Sequence, residues 1–126
     1  MTEGKFGTAI NCMDGRVQEP ILMWFKIRNG IDFTDTITEA GPVKALAEGD
    51  GPTVESIKNR LSISVNKHHS QLIAVVGHHD CAGNPVSKEI QLGQIEKAVE
   101  KVRSWWPGIR VVGLWVNEMW TVDEIV

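Results

Sequence analysis

Apolar positions follow two patterns that take turns along the chain. Phe6-Gly7-Thr8-Ala9-Ile10, the β-branched stretch Phe33 to Thr38, Leu72-Ile73-Ala74-Val75-Val76 and Ile109 to Val116 are short apolar or alternating runs, and they read as strands. Between them lie stripes at helical spacing: Val17, Ile21, Trp24, Phe25 and Arg28; then Val54, Ile57, Leu61 and Val65; then Leu92, Ile95, Val99, Val102 and Trp106. Asn29-Gly30, Ala40-Gly41-Pro42, Gly49-Asp50-Gly51-Pro52 and Pro107-Gly108 punctuate them. The unbroken run Leu72 to Val76 suits a central parallel strand covered on both faces. The order βαβαβαβ predicts an α/β fold: one domain over residues 1–126, with a central, mostly parallel sheet of about four strands flanked by helices. Ligands of such sheets bind beyond the carboxyl ends of the strands.

Composition narrows the choice of function. Of 126 residues, 42% are apolar and 23% charged, which is ordinary for a globular chain able to bury a core. A net charge of −3 and the lack of any Lys/Arg run argue against a nucleic-acid partner. No apolar stretch reaches membrane-spanning length. The start, Met1-Thr2-Glu3-Gly4-Lys5-Phe6, has no apolar leader core, so a cytoplasmic location is the default expectation. In a reducing compartment the two cysteines suit metal binding or catalysis better than a disulfide.

Both cysteines fall at ends of expected strands, Cys12 after the first and Cys81 after the third. With His78 they offer two thiolates and one imidazole, a set that suits zinc, expected at one Zn2+ per chain. Three protein ligands leave one tetrahedral position open, as in catalytic rather than structural sites. His78-x-x-Cys81 lets two ligands reach one ion from a single turn. Asp14 and Arg16 follow Cys12 at offsets of two and four. Arg16 can hold Asp14 in a bidentate pair, keeping it ionised and an acceptor. Such an acceptor would orient a zinc-bound hydroxide; if the pair opened, Asp14 could swing onto the metal instead.

Cys12-Met13-Asp14-Gly15-Arg16-Val17, followed later by Gly77-His78-His79-Asp80-Cys81, resembles the paired motifs of the β-class carbonic anhydrases. The two in this order are specific; either alone is not. The resemblance spans nearly the whole chain. Ala40-Gly41 is similar to part of the family's Arg-Asn-Ala-Gly-Asn loop, and Val112 to Val116 to its last core strand. Thr38-Glu39, Pro42 and Ala82 stand where the family usually has Arg-Asn, Asn and Gly, and Ala9 where regulated members carry tryptophan. The resemblance implies a zinc lyase for the reversible hydration of carbon dioxide to bicarbonate. It also implies a homodimer or higher oligomer with its cleft lined from both subunits.

Plainer readings compete. Free cysteines are often merely buried, and an Asp–Arg loop pair usually contributes little; position and spacing favour the functional reading of both. His79 reads as a neighbour of the site before a proton carrier, and Asp80 as a helix cap or an outer acceptor. His68 and His69 lie near a helix end that suits imidazole, and the five tryptophans read as core or interface residues. Alternative functions are a carbonyl sulfide or carbon disulfide hydrolase of the same fold, a non-catalytic zinc-binding protein and, last, a thiol redox protein.

Overall fold

The structure, a computed structural model, describes residues 4–126. Met1, Thr2 and Glu3, on which part of the leader reading rests, lie outside the described residues. The elements are β1 (Phe6–Cys12), α1 (Gly15–Met23) running on into a π-helical turn (Trp24–Arg28), β2 (Phe33–Glu39), α2 (Pro42–Glu48), α3 (Pro52–His68), β3 (Leu72–His78), α4 (Lys88–Trp105), β4 (Arg110–Val116) and β5 (Val122–Glu124). They form one sheet in the order β2-β1-β3-β4-β5. The first four strands are parallel, and β5 runs antiparallel to β4.

Alternation along the strands splits the core in two. Ile10, Ile37, Ile73, Val75, Val111 and Trp115 face a layer built from α2, α3 and α4. Ala9, Leu72, Ala74, Val76, Val112, Leu114 and Val116 face Val17, Ile21, Trp24 and Phe25 of α1 and its π-helical turn. From the middle of the sheet the chain winds outward both ways, β1 to β2 and β3 to β4. Right-handed crossovers then put α1 and α4 on opposite faces. Helix α4 docks closely because Gly77 and Gly113 lie beneath Ile95. A Cβ there would come within 2.8 and 2.5 Å of that side chain. Burying Ile95 completely contributes roughly 1.5–3 kcal/mol.

Two elements were not expected from the pattern. Ala40-Gly41-Pro42 ends β2, but it also begins α2: Gly41 sits in the left-handed region and Pro42 opens the helix, where its missing N–H costs nothing. The strand β5 is only three residues long, too short to show alternation. Strands β1 and β3 also run further than their apolar runs suggest, ending on Cys12 and His78 themselves. No helix among the described residues is long and apolar enough to cross a membrane.

Candidate metal centre

The strand order reverses between β1 and β3, and the crevice beyond that switch point is where ligands of open α/β sheets bind. Cys12 closes β1 there, His78 closes β3, and Cys81 follows in the next turn. Their ligating atoms all lie within 4.8 Å of one another, with the two sulfurs 3.9 Å apart, and all three residues are buried. The ladders extend past both strand ends: Met13 N–H donates to Glu39 O at 2.8 Å, and His79 N–H to Val116 O at 2.9 Å. Two glutamines from opposite faces hold the rim. Gln18 of α1 donates to the carbonyls of Cys12 and Asp14. Buried Gln91 of α4 donates to His78 O and accepts from His78 N–H. Sequence reasoning missed both; a glutamine inside an otherwise apolar helical stripe was the available signal.

The donor set fits zinc. His78 Nδ1 lies 2.7 Å from the carbonyl oxygen of His79, so Nδ1 carries the proton and Nε2 the lone pair. That Nε2 is buried and has no hydrogen-bond partner. Burial holds the imidazole pKa below its usual value and so keeps the ring neutral. The Cys81 thiol is pushed up to about 11, first by burial and then by the neighbouring Cys12 sulfur, while the backbone N–H groups of Gly83 and Asn84 act in the opposite sense. A dication between two thiolates and a neutral imidazole would leave the buried set uncharged. Gly83 and Gly41 press together behind this turn: a Cβ on Gly83 would fall 2.6 Å from the Ala40 backbone.

Asp14 and Arg16 stand at the mouth. Asp14 caps α1, accepting from Arg16 N–H at 2.9 Å. The Arg16 side chain grips the same carboxylate, Nε to Oδ1 at 3.1 Å and Nη2 to Oδ2 at 2.7 Å. The guanidinium bonds hold Asp14 down to about pKa 2. Oδ1 thus receives two donors and Oδ2 one, leaving Oδ2 a free acceptor direction. Of the two readings of Asp80, cap and outer acceptor, the structure shows an acceptor. Ser87 caps α4, whereas Asp80 meets Arg16 through Oδ2 at 3.3 Å and through its carbonyl at 3.1 Å. Of the tryptophans, Trp24 and Trp115 are core residues. Trp120 packs at the edge of the core and also lies 4.4 Å from the Arg16 guanidinium, a contact the sequence did not suggest. His79 is exposed, with its ring 6.3 Å from that of Trp120. His68 pairs with Asp35 at 2.6 Å, away from this crevice on the β2 side of the sheet. Glu39, the β2 residue beside Cys12, is neutralised by Arg60.

A family model described as "Putative carbonic anhydrase" matches residues 2–126. No curated protein sequence matches the chain. Among solved structures, the chain is similar to a carbonic anhydrase from Glaciozyma antarctica, at 18% identity and TM-score 0.64 over 94% of this chain and 81% of that one. It is also similar to tetrameric β-carbonic anhydrases from Sordaria macrospora, at 13% identity and TM-score 0.68, covering 99% and 82%. A β-carbonic anhydrase from Trichomonas vaginalis gives 17% identity and TM-score 0.67, covering 100% and 86%. At these identities the likeness establishes a shared fold.

Proposed function

The chain belongs to the carbonic anhydrase family whose model spans it, and from that premise we propose that it is a zinc enzyme for the reversible hydration of carbon dioxide to bicarbonate. The observation that carries this reading is the buried convergence of Cys12, His78 and Cys81 beside a carboxylate that stays ionised. These three residues would hold one zinc ion per chain and leave a coordination position for a small molecule. When bound, zinc supplies a Lewis acid that brings the pKa of water down to about 7.

The chain's own groups supply orientation. Asp14 Oδ2, with its free acceptor direction, would accept a hydrogen bond from an O–H group of the reacting water and so orient that group towards carbon dioxide. A permanently ionised carboxylate can only accept, so it favours a proton-bearing oxygen over one without a proton. Arg16 keeps Oδ1 and Oδ2 pointed and satisfies their remaining lone pairs. His79 O fixes the ring of His78, and Gln91 fixes its backbone. We further propose a cytoplasmic homodimer or higher oligomer. For the oligomer, support comes from β2 lying at the edge of the sheet among the described residues and from exposed Phe33 and Ile63 on that side.

The test is oxygen-18 exchange between carbon dioxide and water, measured on protein of known zinc content with Cys81→Ser as control. Rapid exchange that Cys81→Ser abolishes together with zinc supports the proposal. A fully zinc-loaded protein that releases sulfide from carbonyl sulfide but shows no exchange contradicts it and selects the hydrolase reading. One inert to both is a non-catalytic zinc protein.

A further inference from the structure

Arg16 is held on two sides, and only one of them is Asp14. The other is made by Asp80, through its carboxylate and its carbonyl, and by the ring of Trp120 stacked 4.4 Å from the guanidinium carbon. Three non-glycine residues among those described have positive φ: His69, Asp80 and Trp120. Two of these three are the groups that close on Arg16. A left-handed backbone is costly for a residue as bulky as tryptophan, and here a built turn enforces it. Trp120 N–H donates to Asn117 O at 2.8 Å. Asn117 Oδ1 gathers the N–H of Met119, the N–H of Thr121 and the Thr121 hydroxyl. Asn117 Nδ2 reaches Asp123 of β5. The short antiparallel strand β5 thus anchors the turn that aims Trp120.

We propose that Trp120 is a positioning residue for the Asp14–Arg16 pair, acting through a cation–π contact that, with Asp80, stops Arg16 from leaving Asp14. This rests on the role given to Asp14 above. The physical need is plain: the Arg16 side chain is 45% exposed, and exposed ion pairs exchange readily with water. With Asp14 on one side and the Trp120 ring and Asp80 on the other, the guanidinium is restrained from both sides. The same indole also meets the His79 ring edge-on, with centroids 6.3 Å apart.

The test combines a double-mutant cycle with a spectroscopic readout. Trp120→Leu keeps bulk against the neighbouring core but removes the π face, and Trp120→Phe restores one. At matched zinc occupancy, Trp120→Leu should lower the hydration rate between about 2-fold and 30-fold, the range of a partly desolvated cation–π contact. Trp120→Phe should recover most of the loss. In an Arg16→Ala background, Trp120→Leu should add nothing. Independently of activity and of metal, the Nε–H resonance of Arg16 in the metal-free protein should move when the indole is removed and should exchange faster with water. Loss factors that multiply in the double mutant, or an Arg16 resonance indifferent to Trp120→Leu, would overturn the proposal. If the zinc-loaded wild type hydrates no carbon dioxide at all, the functional reading has failed, and the Arg16 resonance alone still decides whether Trp120 holds the pair.

Discussion

Asp14→Asn separates what this side chain does for the fold from what it does for the reaction. In the fold it caps α1, and asparagine caps about as well as aspartate. The ion pair it loses is partly exposed, 45% on the arginine and 19% on the aspartate, so solvent screening keeps that loss small. A melting-point drop of no more than a few degrees follows. In the site the substitution is severe. Oδ1 keeps its bond from the Arg16 backbone, and the new Nδ2 then sits where Oδ2 accepted from Nη2 at 2.7 Å. Donor faces donor on one side, and the free acceptor direction is gone on the other. Losing one such oriented interaction costs about 3 kcal/mol, roughly a hundredfold in rate. Asp14→Ala should match that loss and also sacrifice the cap, about 1 kcal/mol more of stability.

The assay is stopped-flow hydration on wild type and both variants at equal zinc content, with melting curves alongside. The charge itself is not at issue in the working range. With its pKa held to about 2 against an ordinary 3.8, the carboxyl contributes stability above pH 3.8 that is lost only as pH falls through about 2. Any change in wild-type rate between pH 6 and 9, a window set by the roughly neutral pKa of activated water, therefore belongs to another group. An Asp14→Asn protein with the full wild-type rate would refute the reasoning.

Further outcomes follow from the same geometry. Zinc uptake should release protons and weaken as pH falls, because the Cys81 thiol starts at about 11 and must ionise; competition titrations showing pH-independent affinity would contradict this. Gln91→Leu strips the amide from both backbone groups of His78, so stability should fall by about 1–3 kcal/mol and zinc affinity by about 10–100-fold, read by melting and by metal titration. Gly41→Ala forces a left-handed alanine, about 1–2 kcal/mol, against the Gly83 carbonyl 2.9 Å away; both the melting point and zinc affinity should drop, since Gly83 N–H serves the Cys81 sulfur.

The parts of this molecule that were legible in the sequence are those with a period or a fixed spacing. Leu72 to Val76 announced a doubly covered strand, and the stripes at 54–65 and 92–106 announced α3 and α4. Pro42 concealed α2 because a proline that ends a strand can equally start a helix. The cluster of Cys12, His78 and Cys81 was legible because each residue sits at a strand end or within one turn of it, and parallel topology brings those ends together. The surroundings of the site were not. Gln91 and Trp120 come from later elements, and only the packed structure shows that they meet the loops at residues 78–81 and 12–16; Gln18 is local, but nothing in its spacing marks it as a backbone clamp. Asp80 illustrates the same point: local sequence allowed a cap or an outer acceptor, and only the fold shows that its backbone turns left-handed and delivers the carboxylate to Arg16.

The most direct test of the central claim is the rate of carbon dioxide hydration as a function of zinc bound per chain, taken from metal-free to fully loaded protein. The account predicts a rate that rises in proportion to bound zinc and levels off at one zinc per chain, with Cys12→Ser and Cys81→Ser flat at the uncatalysed rate. A protein that takes up its full zinc and still hydrates no faster than buffer, or one that hydrates equally well without zinc, would contradict it.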